Sequence, residues 1–275
     1  MRLLFFLFYV LPHLKSNFMR IPYPHLLLGL SVIALSLGPA GAQHNRKNDK
    51  GKSLSLELNQ MRTYAPGDTI PREVITSQNY KQWFKVTTIP DDIFKVMKGR
   101  SFAQGCTTER EDLRYIRCLH MDIHGNTIVG EMVLNKMIAQ KVADIFLKLY
   151  EAHYPIERMR LIDNWNANDE QSMRDNNTSG FCFRRIAGSS LVSLHGKGLA
   201  VDINTLYNPY YKIRSNGTTF VQPATAKPYV DRSKSFNYKI TKEDLCYRLF
   251  TANGFRWGGD WKKSKDYQHF EYRAD

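Results

Sequence analysis

His195 and Asp202 lie in the run Ser193-Leu194-His195-Gly196-Lys197-Gly198-Leu199-Ala200-Val201-Asp202, and His269 lies in Asp266-Tyr267-Gln268-His269-Phe270-Glu271 near the C-terminus. Imidazole nitrogen and carboxylate oxygen hold zinc well, and a catalytic zinc keeps three protein ligands so that a fourth position stays open for water. His195, Asp202 and His269 are the expected ligands of one Zn2+. From Leu199 to Ile203 the chain alternates in the strand manner, with Leu199, Val201 and Ile203 on one face and Ala200 and Asp202 on the other. The apolar face can pack while Asp202 points into a cleft. Ala200 leaves room for metal and substrate, and Gly198 lets the chain turn between His195 and the strand.

Hydrolysis at such a centre needs a base to take a proton from water and an acid to return one to the leaving group, and a single carboxylate can do both. Asp266 and Glu271 compete for that role. Counted from His269, Glu271 falls on the same strand face, whereas Asp266 sits three residues earlier in the approach, so alternation alone favours Glu271 as the neighbour of the metal. A fixed guanidinium suits the developing oxyanion. Arg184 and Arg185 are the rivals for it, and neighbours on an extended chain face opposite ways. A second pattern, His120-x-Asp122-x-His124, alternates as a metal grip would. Leu119, Met121 and Ile123 supply a buried face beside it and Gly125-Asn126 a turn, so the polar set reads as the wet side of a hairpin. His153, just before Pro155, reads as a helix C-terminal cap.

The pattern Ser-x-His-x-x-Gly-x-Ala-x-Asp followed by Asp-x-x-His resembles the zinc D-alanyl-D-alanine carboxypeptidase and dipeptidase family. That family includes L-alanyl-D-glutamate endolysins and shares the hedgehog/DD-peptidase fold. The likeness extends upstream through Asn176-Asn177-Thr178-Ser179-Gly180-Phe181-Cys182-Phe183-Arg184 and downstream through Trp257-Gly258-Gly259-Asp260-Trp261, so it covers about residues 100 to 275. The resemblance implies zinc on His195, Asp202 and His269, a catalytic carboxylate at Asp266, and a transition-state arginine at Arg184. Glu271 then reads as a group that orients a ligand histidine, with Ser193 as a further support. The implied activity is hydrolysis of peptidoglycan stem peptides, with D-Ala-D-Ala carboxypeptidase action favoured. An L-Ala-D-Glu endopeptidase and a noncatalytic zinc-containing envelope-binding module are the alternatives. Asp266 speaks against the last, because a structural zinc is closed by a fourth ligand and needs no base.

These residues need a scaffold. Helical spacing of apolar residues from Gly130 to Ala152 predicts the main packed helix, Pro155 to Asp163 a strand, and Asn168 to Arg174 a short helix. Thr241 is expected to open another helix, with Asp244 as capping partner and Gly254 as its stop, and Phe255 to Trp257 to resume the sheet. Strands and helices without regular βαβ alternation predict an α+β domain, a mainly antiparallel sheet flanked by helices, with zinc on one sheet face. The polar loop from Asn204 to Tyr238 carries Tyr207, which with Trp257 and Trp261 is expected to wall a substrate groove or pack over the domain edge.

The N-terminus reads as export machinery. Apolar runs at Leu3 to Leu11 and Leu26 to Leu37 precede Ala40-Gly41-Ala42, small residues suited to signal peptidase, so residues 1–42 are the expected leader, which takes His13 and His25 with it. Neither run reaches the roughly 20 apolar residues that span a bilayer. Residues 43–99 form an N-terminal extension, disordered from His44 to about Ser53, and residues 100–275 the catalytic domain. The formal charge of +13 falls to about +10 once Arg2, Lys15 and Arg20 leave with the leader, since that segment has no acid. A basic monomer in the periplasm or outside the cell suits an anionic envelope and peptidoglycan peptides, and no nucleic-acid motif accompanies the charge. In that oxidising setting Cys106 with Cys118 is the more plausible disulfide and Cys182 with Cys246 a conceivable one.

Overall fold

A computed structural model describes residues 63–186 and 188–273. The expected leader, His13 and His25, and the segment His44 to Ser53 lie outside the described residues. The elements run β1 (Thr69–Ile70), β2 (Lys85–Thr87), α1 (Asp91–Met97), β3 (Leu113–Met121), β4 (Thr127–Asn135), α2 (Ala139–Glu151), β5 (Arg158–Met159), α3 (Asp169–Arg174), β6 (Asn177–Thr178), β7 (Ala200–Asp202), β8 (Tyr210–Ile213), β9 (Thr219–Gln222), α4 (Leu245–Ala252), β10 (Phe255–Trp257), β11 (Lys265–Asp266) and β12 (His269–Tyr272). They form antiparallel sheets of order β1-β4-β3-β2, β10-β12-β7 and β11-β8-β9, plus a small parallel pair β5-β6. The α+β class expected from the sequence is present. Among the described residues no helix is long and apolar enough to cross a membrane.

The β3–β4 hairpin is the centre of the largest sheet, and both edge strands, β1 and β2, come from the segment read as an N-terminal extension. Gly130 to Asn135 belongs to β4, so the long helix expected from Gly130 begins only at Ala139. The reason is burial on both faces. Met132 and Leu134 enter one apolar cluster and Val133 another, so β4 shows a continuous apolar run in place of alternation. The expected strand Pro155 to Asp163 shrinks to β5, and the chain then winds into a 3-10 turn at Ile162–Trp165. Two helices open on side-chain caps, of which Asp244 is the one expected in a capping role from the sequence. Asn168 accepts from the Gln171 N–H at the start of α3, and Asp244 accepts from the Cys246 N–H. Because Asp244 takes the cap position itself, α4 starts at Leu245 and not at Thr241.

Helix α2 lays Val142, Ile145, Phe146 and Leu149 against Ile116 of β3, Phe250 of α4, and Val201 and Phe270 of the β10-β12-β7 sheet. That core covers one face of the three-stranded sheet and leaves the other for chemistry. Cys118 enters this core 3.4 Å from the Met159 sulfur, whereas Cys106 packs with the separate cluster around Phe181. All four cysteines are free thiols, so neither expected disulfide is made.

His120 also departs from the sequence reading. It is 2% exposed while Ile123 is 40% exposed, the reverse of a wet histidine face. Its Nδ1–H donates to the Ile156 carbonyl at 2.8 Å, and Gly130 makes the space, since a Cβ there would come within 3.0 Å of the His120 ring. Asp122 instead closes the turn, accepting from the backbone N–H groups of His124 and Asn126. The His120-Asp122-His124 set therefore does not converge.

Burial holds the His120 pKa down at about 4, against 6.5 ordinarily. Below about pH 6.5 the unfolded chain takes up this proton and the folded chain does not, so the contribution is complete above that pH and falls away towards pH 4. The loss amounts to about 3 kcal/mol. His120→Asn, which keeps a donor for Ile156, should lose correspondingly less stability than wild type between pH 7 and pH 4 in urea unfolding; parallel losses would refute the assignment.

Candidate metal centre

β12 is flanked by β7 and β10, with His269 opposite Asp202, Glu271 opposite Ala200 on one side, and Glu271 opposite Arg256 on the other. Alternation puts Ala200, Asp202, Arg256, His269 and Glu271 on the face away from the core, while Val201, Trp257 and Phe270 point inward. His195 reaches the same face from a tight turn. In it the Ser193 hydroxyl accepts from the Gly196 N–H at 3.0 Å and the His195 carbonyl accepts from the Gly198 N–H at 3.0 Å. Gly198 has φ +69°, and a Cβ there would lie 2.7 Å from the Asn135 nitrogen, so both backbone angle and space demand glycine.

His195 Nε2 lies 3.1 Å from Asp202 Oδ2 and 3.1 Å from His269 Nδ1, and His269 Nδ1 lies 2.9 Å from Asp202 Oδ1. All three side chains are buried, with candidate ligand atoms within 4.8 Å of one another. Among the described residues no other group of His, Cys, Asp and Glu was found placed to hold a metal ion. The outer nitrogen of each ring faces an acceptor: His195 Nδ1 is 2.7 Å from the Gly180 carbonyl, and His269 Nε2 is 3.4 Å from Glu271 Oε2. Those acceptors hold a proton on the outer nitrogen of each ring, which leaves His195 Nε2 and, once its own proton is displaced, His269 Nδ1 to present lone pairs beside Asp202. Two imidazole lone pairs and a carboxylate facing one point fit a cation, and this donor set suits zinc.

The field agrees with the geometry. Burial alone would lower the pKa of His269, but the hydrogen bonds to Asp202 and Glu271 outweigh it and raise it to about 10. Burial likewise opposes ionisation of Asp202, yet His195 and His269 hold its carboxyl far below the usual carboxylate range. The cluster draws positive charge to its centre.

Asp266 and Glu271 part company here. Glu271 is committed, since Oε2 faces His269 and Oε1 accepts from Arg273 Nε at 2.9 Å. Asp266, opposite Tyr210, has a buried Oδ1 with no hydrogen bond among the described residues. Burial pushes its pKa up to about 7, with His269 opposing and Asp202 reinforcing the rise. Gly258 lies directly behind it, where a Cβ would come 2.6 Å from the Asp266 carbonyl oxygen and 2.7 Å from its Cβ. Gly258→Ala is therefore expected to displace Asp266 and lower kcat/KM by about ten- to a hundredfold with zinc content unchanged. Wild-type kinetics for this variant would show that the position of Asp266 does not matter.

The other sequence-derived candidates fall in different places. Arg184 pairs with Asp169 at 3.2 Å and its side chain is 36% exposed. Burial disfavours its charge, but Asp169, with Cys182 and Asp202, raises its pKa. Arg185 turns the other way, exposed, and donates to the Ser190 carbonyl. Ser193 acts on the His195 turn and not on a ligand side chain. Trp261 stands with its ring 5.4 Å from His269, edge to face. Trp257 borders a cleft together with Trp261, but it is 5% exposed, donates to the Tyr267 carbonyl, and stacks on Phe270 in the core. Tyr207 packs on Tyr229 and Tyr238, ring centroids 4.7 and 5.1 Å away, within its own loop. Sequence reasoning did not single out the Gly180 carbonyl or Arg273. A backbone acceptor leaves no side-chain signature, and Arg273 acts through its contact with Glu271 two residues earlier.

Residues 187–272 match the sequence model of a family described as D-alanyl-D-alanine carboxypeptidase. No curated protein and no solved structure was found to match. The matched span holds His195, Asp202, Asp266, His269 and Glu271, and Arg184 lies just before it. The part of the chain that builds the three-residue cluster thus supports the D-alanyl-D-alanine carboxypeptidase family of peptidases, the one its motifs resemble.

Proposed function

We propose that this chain is a zinc-dependent peptidase, acting in the periplasm or outside the cell, that hydrolyses peptidoglycan stem peptides and preferentially removes the terminal residue from D-Ala-D-Ala ends. One observation carries the reading: the donors of His195, Asp202 and His269 converge within electrostatic reach of Asp266, whose Oδ1 is buried and uncommitted. The formal charge, +13 for the whole chain and about +10 without residues 1–42, supports an anionic envelope as the setting.

His195, Asp202 and His269 would hold the ion, which supplies Lewis acidity that polarises the scissile carbonyl and acidifies water. The Asp266 carboxylate takes a proton from the attacking water as the C–O bond forms, and returns it to the amine nitrogen as the C–N bond breaks. Arg184, held by Asp169, is the guanidinium proposed to stabilise the oxyanion. Glu271 fixes the tautomer and angle of His269 and is itself held by Arg273.

Digestion of purified muropeptides with the wild type and with Asp266→Ala tests the proposal. Release of D-alanine by the wild type alone is the expected result. Products cut between L-Ala and D-Glu would convert the reading to an endopeptidase. No cleavage by either protein despite bound zinc would leave only the noncatalytic module.

A further inference from the structure

Along the β10 edge of the sheet that carries the cluster, a cleft of about 430 Å3 is lined by Arg256, Trp257, Asp260, Trp261, Glu271 and Arg273, among others. It adjoins the centre directly, since Trp261 stands 5.4 Å from His269 and Glu271 faces the His269 ring. The charges around it do not balance. Asp260 is taken by Lys242 at 2.7 Å, and Glu271 by Arg273 at 2.9 Å and by His269. Arg256 lies opposite Glu271 in the strand register, the position where opposite charges ordinarily pair. With Glu271 engaged elsewhere, the Arg256 guanidinium makes no ion pair or hydrogen bond among the described residues. A cleft beside the centre thus holds one uncompensated guanidinium, a second one anchored by Glu271, and an indole wall for aliphatic parts of a peptide.

The geometry points to this cleft as the subsite for a free carboxylate of the substrate peptide, with Arg256 as its primary contact and therefore a specificity-determining residue. The assignment rests on the peptidase reading, which supplies the peptide. The carboxylate would complete the ion pair that β10 and β12 leave open and seat the chain along Ala200 and Glu271.

The test uses the zinc-loaded full chain with L-Ala-γ-D-Glu-L-Lys-D-Ala-D-Ala as the free acid, with its terminal carboxylate amidated, and with its glutamyl α-carboxyl amidated. For the wild type, one of the two amidations should raise KM by about three- to tenfold. Arg256→Ala should raise KM for the free acid by a similar factor and erase the difference between acid and amide, with kcat and zinc content unchanged; Arg256→Lys should restore part of it. A preference that survives in Arg256→Ala, or the lack of any preference in the wild type, overturns the subsite. Calorimetric Kd values for the same peptides and variants are read in parallel. If the wild type cleaves nothing, the peptidase reading falls, while tighter binding of acid than amide, lost in Arg256→Ala, still decides the subsite.

Discussion

His195→Ala is expected to abolish stoichiometric zinc binding and, with it, hydrolysis. The substitution removes one of three converging donors and also leaves the Gly180 carbonyl without its 2.7 Å partner, a buried acceptor whose exposure to nothing costs about 1–3 kcal/mol. Two ligands, Asp202 and His269, cannot close a three-ligand site. A graded comparison comes from Glu271→Gln, which keeps every ligand but weakens the hold on His269; its zinc affinity should fall about 10- to 100-fold with the site still loadable. Metal analysis after dialysis against a chelator of known strength reads both. One full equivalent of zinc on His195→Ala would mean that the ligands lie elsewhere. The raised pKa of His269, about 10, adds a sign. In the metal-free protein that imidazole is protonated at neutral pH, so metal must displace a proton and apparent zinc affinity should rise with pH through the neutral range.

The second large effect belongs to Asp266→Asn, which should lower kcat by about 10²- to 10⁴-fold while zinc remains bound. The change is nearly isosteric, so it removes the proton-accepting oxygen without opening a cavity. A base must be ionised: in the metal-free protein burial pushes the Asp266 pKa up to about 7, and a cation held by the cluster would draw it lower. The wild-type rate should fall on the acid side as this carboxylate protonates, and the variant's residual rate should not. Stability moves the other way. A carboxyl whose folded pKa is raised favours folding relative to its ionised form only at low pH, and the cost of burying its charge appears as pH climbs through about 7. Metal-free Asp266→Asn should therefore be more stable than the wild type at pH 8, and the advantage should vanish below pH 4. A variant both inactive and less stable at pH 8 would point to a structural role for Asp266.

Much of the centre could be read from residue order because its parts are local. Gly198 before an alternating Leu199 to Ile203 gives turn and strand within a few residues, and the core faces of Leu199, Val201 and Ile203 follow from period two. The cap residue Asp244 is legible for the same reason. What escaped depends on partners distant in the chain. β4 is covered on both faces, which erases alternation, and His120 is drawn inward by the Ile156 carbonyl and the space over Gly130. The core packing of Trp257, which borders the cleft yet is 5% exposed, depends on the pairing of β10 with β12. The choice between Asp266 and Glu271 turned on side-chain contacts: Glu271 is occupied on both oxygens by its near neighbours His269 and Arg273, whereas alternation gives only its face.

The two rings of the centre present different nitrogens, Nε2 from His195 and Nδ1 from His269. Nδ1 is bonded to the ring carbon that carries Cβ, whereas Nε2 lies one bond farther out, so the two residues are arms of unequal length. The short arm is mounted on a paired strand and the long arm on a turn. The strand that carries the short arm, β12, is stiff because it is hydrogen-bonded on both sides. Of the two mounts, the turn from Ser193 to Gly198 is therefore the more adjustable.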